Sequence, residues 1–197
     1  MNSPNRLAAL SLVLALVCAG ASTAQPRWQL KVTPGEPGVV AVFDVLNQGT
    51  NYWYFPFSVT NPGPEARQVI LTVKALTDTR RTYLSGFYPE AKQRVERVLG
   101  RKFRGMSELR GEINPGETWE GVALFRSVDP VMDAITFQVR GIEDPVVRIK
   151  GVSYYEVRAL EFTYKQLGDE YFPWEDPIEY VGRKWTVLEQ RTRVKRS

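Results

Sequence analysis

The stretch GDEYFPWEDPIEY, residues 168–180, gathers the side chains of this sequence best suited to chemistry: Asp169, Glu170, Glu175 and Asp176 beside Tyr171, Phe172 and Trp174. Carboxylates can hold an oxygen-ligand cation such as calcium or flank a scissile sugar bond, and aromatic rings stack on sugar faces. The order of these acids lacks the spacing of a calcium loop. A glycoside hydrolase needs two carboxyl groups about 5 to 9 Å apart across a cleft, one of them in a drier setting that raises its pKa. Four acids in one short, proline-punctuated loop point more readily into water than across a groove. The favoured reading is a loop whose rings pin the C-terminal segment onto the body, with sugar binding and carboxylate-based hydrolysis as alternatives.

A second aromatic run, NYWYFPF at 51–57, poses a choice between core strand and ligand platform. If Trp53, Phe55 and Phe57 face inward, Tyr52 and Tyr54 fall on the opposite face, and Pro56 interrupts or bulges the strand. Core packing is favoured; two outward tyrosines would be the sugar or peptide contact.

Whole classes of chemistry are absent. The chain has no histidine and a single cysteine, Cys18. Zinc and copper sites, histidine triads and thiol catalysis therefore lose their usual residues, and no cofactor or metal is expected.

The N-terminus carries an address. MNSPNR, with one positive charge at Arg6, gives way to the apolar LAALSLVLALVCAG and then to the small residues ASTA. That is the layout of a secretory signal peptide over residues 1–24, with Ser22 and Ala24 suiting cleavage before Gln25. The apolar run is shorter than the roughly 18 to 20 residues of a membrane span, so no transmembrane segment is expected after cleavage. An uncleaved anchor and lipidation at Cys18 are the alternatives, and bulky Val17 argues against the second. A periplasmic or secreted protein follows, without disulfides in its mature form, stabilised by packing alone.

The elements that must position any site read as strands. WQLKVT, VVAVFDVL, YWYFPFSVT, RQVILTVKAL, ETWEGVALFRSV, AITFQVRGI, VSYYEVRALEFTYK and RKWTVLEQRTRV alternate apolar and polar residues with period two,. In AITFQVRGI, Ile135, Phe137 and Val139 point inward and Thr136, Gln138 and Arg140 to water. Asn61-Pro62-Gly63-Pro64 turns the chain so that Val69, Leu71 and Val73 return to the face of Phe57 and Val59, by a hairpin or a sheet crossing. Asn114-Pro115-Gly116 is a turn feeding a strand with Trp119, Ala123 and Phe125 on one face, where Gly121 leaves room for a large neighbour such as Trp119 or a residue of the opposite sheet. One segment departs: YPEAKQRVERVLGRKF predicts a short helix from Pro89 to a stop at Gly100, with Ala91, Val95, Val98 and Leu99 inward and a basic, solvated end. The expectation is an all-β, antiparallel sandwich of seven or eight strands with one inserted helix, spanning 25–167. Residues 168–197 form an extension packing on it or trailing from it.

YWYFPFSVTNPG, together with the Pro115, Gly116, Glu117, Gly121 and Phe125 pattern of PGETWEGVALF, resembles bacterial extracellular immunoglobulin-like domains of the immunoprotective-antigen type. The likeness covers residues 37–141. It implies an immunoglobulin-like β-sandwich serving as an exported binding or accessory module.

The ending GRKWTVLEQRTRVKRS sets Arg183, Lys184, Arg191, Arg193, Lys195 and Arg196 against Glu189, on a chain of net charge +4. Such a tail attracts acidic glycans or membrane surfaces, though a solvated terminus is favoured. No nucleic-acid motif is present. The expected function is a non-catalytic exported module binding a protein or cell-envelope component. A carbohydrate-binding module is the first alternative and a glycoside hydrolase the second.

Overall fold

The structure, a computed structural model, describes residues 25–26, 28–126, 129, 131–166, 178–189 and 192–194. The signal peptide expected over residues 1–24 and the candidate residues Asp169, Glu170, Tyr171, Trp174, Glu175 and Asp176 lie outside these residues. The chain runs through β1 (Gln25–Pro26), β2 (Lys31–Pro34), β3 (Gly38–Phe43), β4 (Gly49–Thr60), β5 (Arg67–Ile70), β6 (Thr72–Thr77) and β7 (Thr82–Leu84) to the helix α1 (Pro89–Leu99). It continues through β8 (Arg104–Gly105), β9 (Arg110–Ile113), β10 (Thr118–Arg126), β11 (Ala134–Arg140), β12 (Val146–Ile149) and β13 (Val152–Tyr155). It closes with β14 (Arg158–Gln166), β15 (Ile178–Val187) and β16 (Thr192–Arg193).

The protein is mostly β, with several sheets and one α-helix among the described residues. One five-stranded sheet is ordered β2-β4-β10-β8, with β3 also on β4, and a second is ordered β15-β14-β11-β6-β7. Their apolar faces meet: Trp53, Phe55, Phe57 and Phe125 belong to the same buried cluster as Val73, Phe137, Val139 and Phe162. Phe55 stacks on Phe137 with ring centroids 4.3 Å apart and planes 2° from parallel. Burying each such ring contributes about 2 to 3 kcal/mol before conformational entropy is counted. Smaller sheets pair β5 with β9 and order β1-β12-β13-β16.

Among the described residues sixteen strand segments stand where seven or eight strands were expected: RQVILTVKAL divides into β5 and β6, VSYYEVRALEFTYK into β13 and β14, and two-residue segments such as β1 and β8 add to the number. The gap between the runs WQLKVT and VVAVFDVL, at Gly35–Pro37, has a cause in the neighbouring strand. β2 pairs with β4 up to Pro34 opposite Phe57, and β3 resumes with Gly38 opposite Tyr54. The gap faces Pro56, which has no N–H to offer a neighbour. Pro56 therefore interrupts the adjacent strand, not its own, and β4 runs through it in register with β10, Val122 opposite Pro56.

The segment after β4 crosses between sheets. β5 pairs with β9, β6 joins β11, and Val69, Leu71 and Val73 are all buried in the shared core. The predicted helix forms from Pro89 to Leu99, with Gly100 at φ 65° ending it in the left-handed conformation,. Its buried seam is narrower than expected. Ala91 and Val95 are buried, Val98 is 57% exposed, and Glu96 is buried instead. Gln138 is also buried where an exposed position was expected. Its amide donates to Glu161 at 2.7 Å across the β11–β14 pair, and Lys74 and Lys184 extend the same cross-strand row on either side.

Candidate functional site

An open cleft of about 590 Å³ lies where the β12–β13 hairpin meets the ends of β5, β11 and β14. Its floor is built by Glu143, Glu156 and Arg158, and Trp28, Ile70 and Tyr155 contribute its apolar walls. Glu143 arrives through the bend after β11. Gly141 there adopts φ 80°, and a Cβ would meet the Ile70 carbonyl oxygen at 2.0 Å, so only glycine brings the two backbones this close,. Glu156 follows β13 and is placed by its N–H, which donates to the Pro145 carbonyl at 2.8 Å. Arg158 opens β14.

Arg158 engages Glu143 as a fork: Nε donates to Oε1 at 2.7 Å and Nη2 to Oε2 at 2.5 Å. The Glu156 carboxylate lies 3.7 Å from the same Nε, and the guanidinium stacks 4.9 Å from the centre of the Trp185 ring. Glu143 and Glu156 are buried. Two-point pairing and ring stacking together fix the arginine plane, so the floor is preorganised. At the mouth, Arg140 and Glu189 approach to 4.0 Å. Chemically, this is a recess with fixed hydrogen-bonding geometry on its floor and apolar walls, suited to receiving a polar group on a larger ligand. Among the described residues no group of three or more histidine, cysteine or acidic side chains is arranged to hold a metal ion.

Sequence reasoning did not single out these residues, which come from GIEDP and YYEVRAL. The available signal was Glu156 and Arg158, two charges at strand spacing inside a segment otherwise reading as core.

Of the residues the sequence did single out, Trp53, Phe55 and Phe57 face the shared core, with Tyr52 and Tyr54 turned away from it. The face they occupy is covered. Tyr54 packs with Val40, Val122 and Leu124 beneath Ala91 and Val95 of α1. Burial first, and then the charge of Glu36, raises its hydroxyl pKa. Tyr52 is half-buried against Tyr88, ring centroids 4.9 Å apart. The two tyrosines therefore do not form an open platform, because the helix occupies the space a ligand would need. A strand covered on both faces loses its alternation, which is why YWYFPF and VALF read as continuous apolar runs. Gly121 is a packing glycine. A Cβ would lie 2.7 Å from Leu109 Cδ1 and 3.1 Å from the Phe57 ring, so its crowding neighbours are these two and not Trp119.

The fold and cleft define a mostly β protein of several sheets with one covering helix. Comparison with protein-family models, curated proteins and solved structures finds no match to this chain.

Proposed function

We propose that this chain is an exported, non-catalytic, immunoglobulin-like module that binds a protein or another cell-envelope component, in the periplasm or outside the cell. The observation that carries the reading is the Glu143–Arg158 fork on the cleft floor. Both oxygens of the carboxylate are committed to a fixed partner, which suits a rigid recognition surface better than a group that must exchange protons during turnover. The immunoglobulin-like assignment draws on the two facing sheets and on the turn motifs at Asn61 and Pro115. The walls supplied by Trp28 and Tyr155, the latter 43% exposed, favour carbohydrate as the second ligand class,.

The test is crosslinking of the exported protein in native envelope extract, compared with a Tyr155→Ala, Arg140→Glu variant. Capture of a defined envelope component that weakens in the variant is expected. Capture of nothing, or equal capture by both proteins, sinks the binding assignment. A glycan array run on the same pair separates the carbohydrate reading. Turnover of glycosides that disappears in Glu175→Gln would overturn the non-catalytic reading.

A further inference from the structure

The β3–β4 hairpin ends in a five-residue tip, Asp44 to Gln48, that displays apolar side chains to water. Val45 is 101% exposed, Leu46 74% and Phe43, at the end of β3, 61%. This tip is not loose. The Asp44 carboxylate accepts the backbone N–H groups of Leu46 at 2.9 Å and Gln48 at 2.8 Å, and the Asp44 N–H donates back to the Gln48 carbonyl at 3.1 Å. Asn47 takes the left-handed conformation, φ 61°, that closes such a turn,. The one acid at the tip is thus turned toward backbone N–H groups, and the exposed projection is apolar.

Beside this tip, a groove of about 430 Å³ separates Phe43 from the exposed face of α1, which contributes Glu90, Gln93, Arg94 and Arg97. Arg94 and Arg97 are exposed and make no ion pair among the described residues. The other cations of this region are engaged: Lys92 and Lys102 with Glu96, and Arg101 with Glu120. Arg97 Nε donates to the Gln93 carbonyl at 3.5 Å, which leaves its charge unneutralised, and Glu90 offsets one of the two arginines, leaving the groove net positive.

We infer that the hairpin tip inserts into the surface of a lipid bilayer carrying anionic headgroups, with Arg94 and Arg97 at the level of the phosphates. Three side chains on a convex tip fall well short of the roughly 800 Å² per partner that a stable protein interface buries. A bilayer surface accepts a small apolar insertion because the attraction of nearby cations to anionic lipid adds to it. The inference deepens the envelope-binding reading and rests on it for the protein's access to a membrane.

An environment-sensitive fluorophore on Val45→Cys, in a Cys18→Ser background of the full chain, reads the tip directly whatever the N-terminal segment does. Vesicles of phosphatidylcholine with phosphatidylglycerol should shift its emission to the blue; vesicles of phosphatidylcholine alone should do so far less. Each arginine near the surface is worth about a fivefold change in affinity, so Arg94→Glu with Arg97→Glu should weaken the response by more than about twentyfold. Both positions are exposed, and an unchanged thermal melt establishes that the variant folds. A tip that stays water-like with anionic vesicles, or an equal response in the arginine variant, overturns the inference. So does crosslinking of position 45 to a protein in its place. Those outcomes leave the cleft reading untouched if envelope capture through Tyr155 and Arg140 persists.

Discussion

The side-chain amide of Asn61 donates to the Ile113 carbonyl at 3.0 Å, tying the turn after β4 to the end of β9, 52 residues away. The same amide donates to the Glu65 carbonyl at 2.8 Å, and its oxygen accepts the Gly63 N–H at 3.0 Å. The backbones interlock as well: Gly116 N–H donates to the Asn61 carbonyl at 2.8 Å, and Asn61 N–H to that of Glu117 at 3.1 Å. Glu117 extends this knot, accepting the Trp119 indole N–H at 2.6 Å. The two turn motifs of the sequence are one structural unit.

Asn61→Ala should cost about 2 to 4 kcal/mol, because it strands polar backbone groups in a site where the residue itself is only 2% exposed,. Urea unfolding should show a lower midpoint with an unchanged slope. Asn61→Asp, which keeps the acceptor for Gly63 but sets a carboxylate oxygen against the Glu65 and Ile113 carbonyls, should be no more stable than Asn61→Ala at neutral pH,. A midpoint unchanged in Asn61→Ala would remove the knot from the account of stability.

Gly121→Ala should destabilise by about 1 to 3 kcal/mol, since the new methyl meets Leu109 and the Phe57 ring,. In a Leu109→Ala background the same substitution should cost much less, the vacated space receiving it. Additive effects in this double-mutant cycle would mean that the crowding lies elsewhere.

Arg158→Met should cost about 3 to 5 kcal/mol, because it leaves the buried Glu143 carboxylate without its fork,. Glu143→Gln combined with Arg158→Met should recover part of that loss. The cycle is checked by thermal unfolding at neutral pH, where an equal loss in the single and the double variant would argue against the ion pair as the cause.

Acid should weaken the fold. Burial works to raise the Glu96 pKa, but the hydrogen bonds from Lys102 and the Phe103 N–H and the charge of Lys92 outweigh it and hold the group below the usual range. Asp129 is held low chiefly by the Thr79 hydroxyl, then against burial by the Val131 N–H and the charge of Arg81. For both, the folded state binds protons less readily than the unfolded one. Their stabilisation is therefore full above the unfolded carboxylate pKa of about 4 and is lost as pH falls through the lower folded values. Melting temperature should be flat at mildly acidic pH and drop below about pH 4. Glu96→Gln and Asp129→Asn should be less stable at neutral pH and show a shallower drop.

The sequence by itself determined the local grammar: turns at Asn61-Pro62-Gly63 and Pro115-Gly116, a helix bounded by Pro89 and Gly100, and the inward face of Ile135, Phe137 and Val139. Proline geometry, positive φ at glycine and two-residue alternation act over a few residues, so they are written where they operate. Tertiary structure decided what lies over each face. Tyr54 and Gln138 read as outward because alternation defines two faces without naming what covers the second one. The helix over β3 and β10 and the Glu161 pairing across β14 supply that cover. The cleft was beyond sequence reading for the same reason. A buried charge is stable only beside a specific opposite charge, and Glu143 meets Arg158 only after a glycine bend and a hairpin have brought the two segments together.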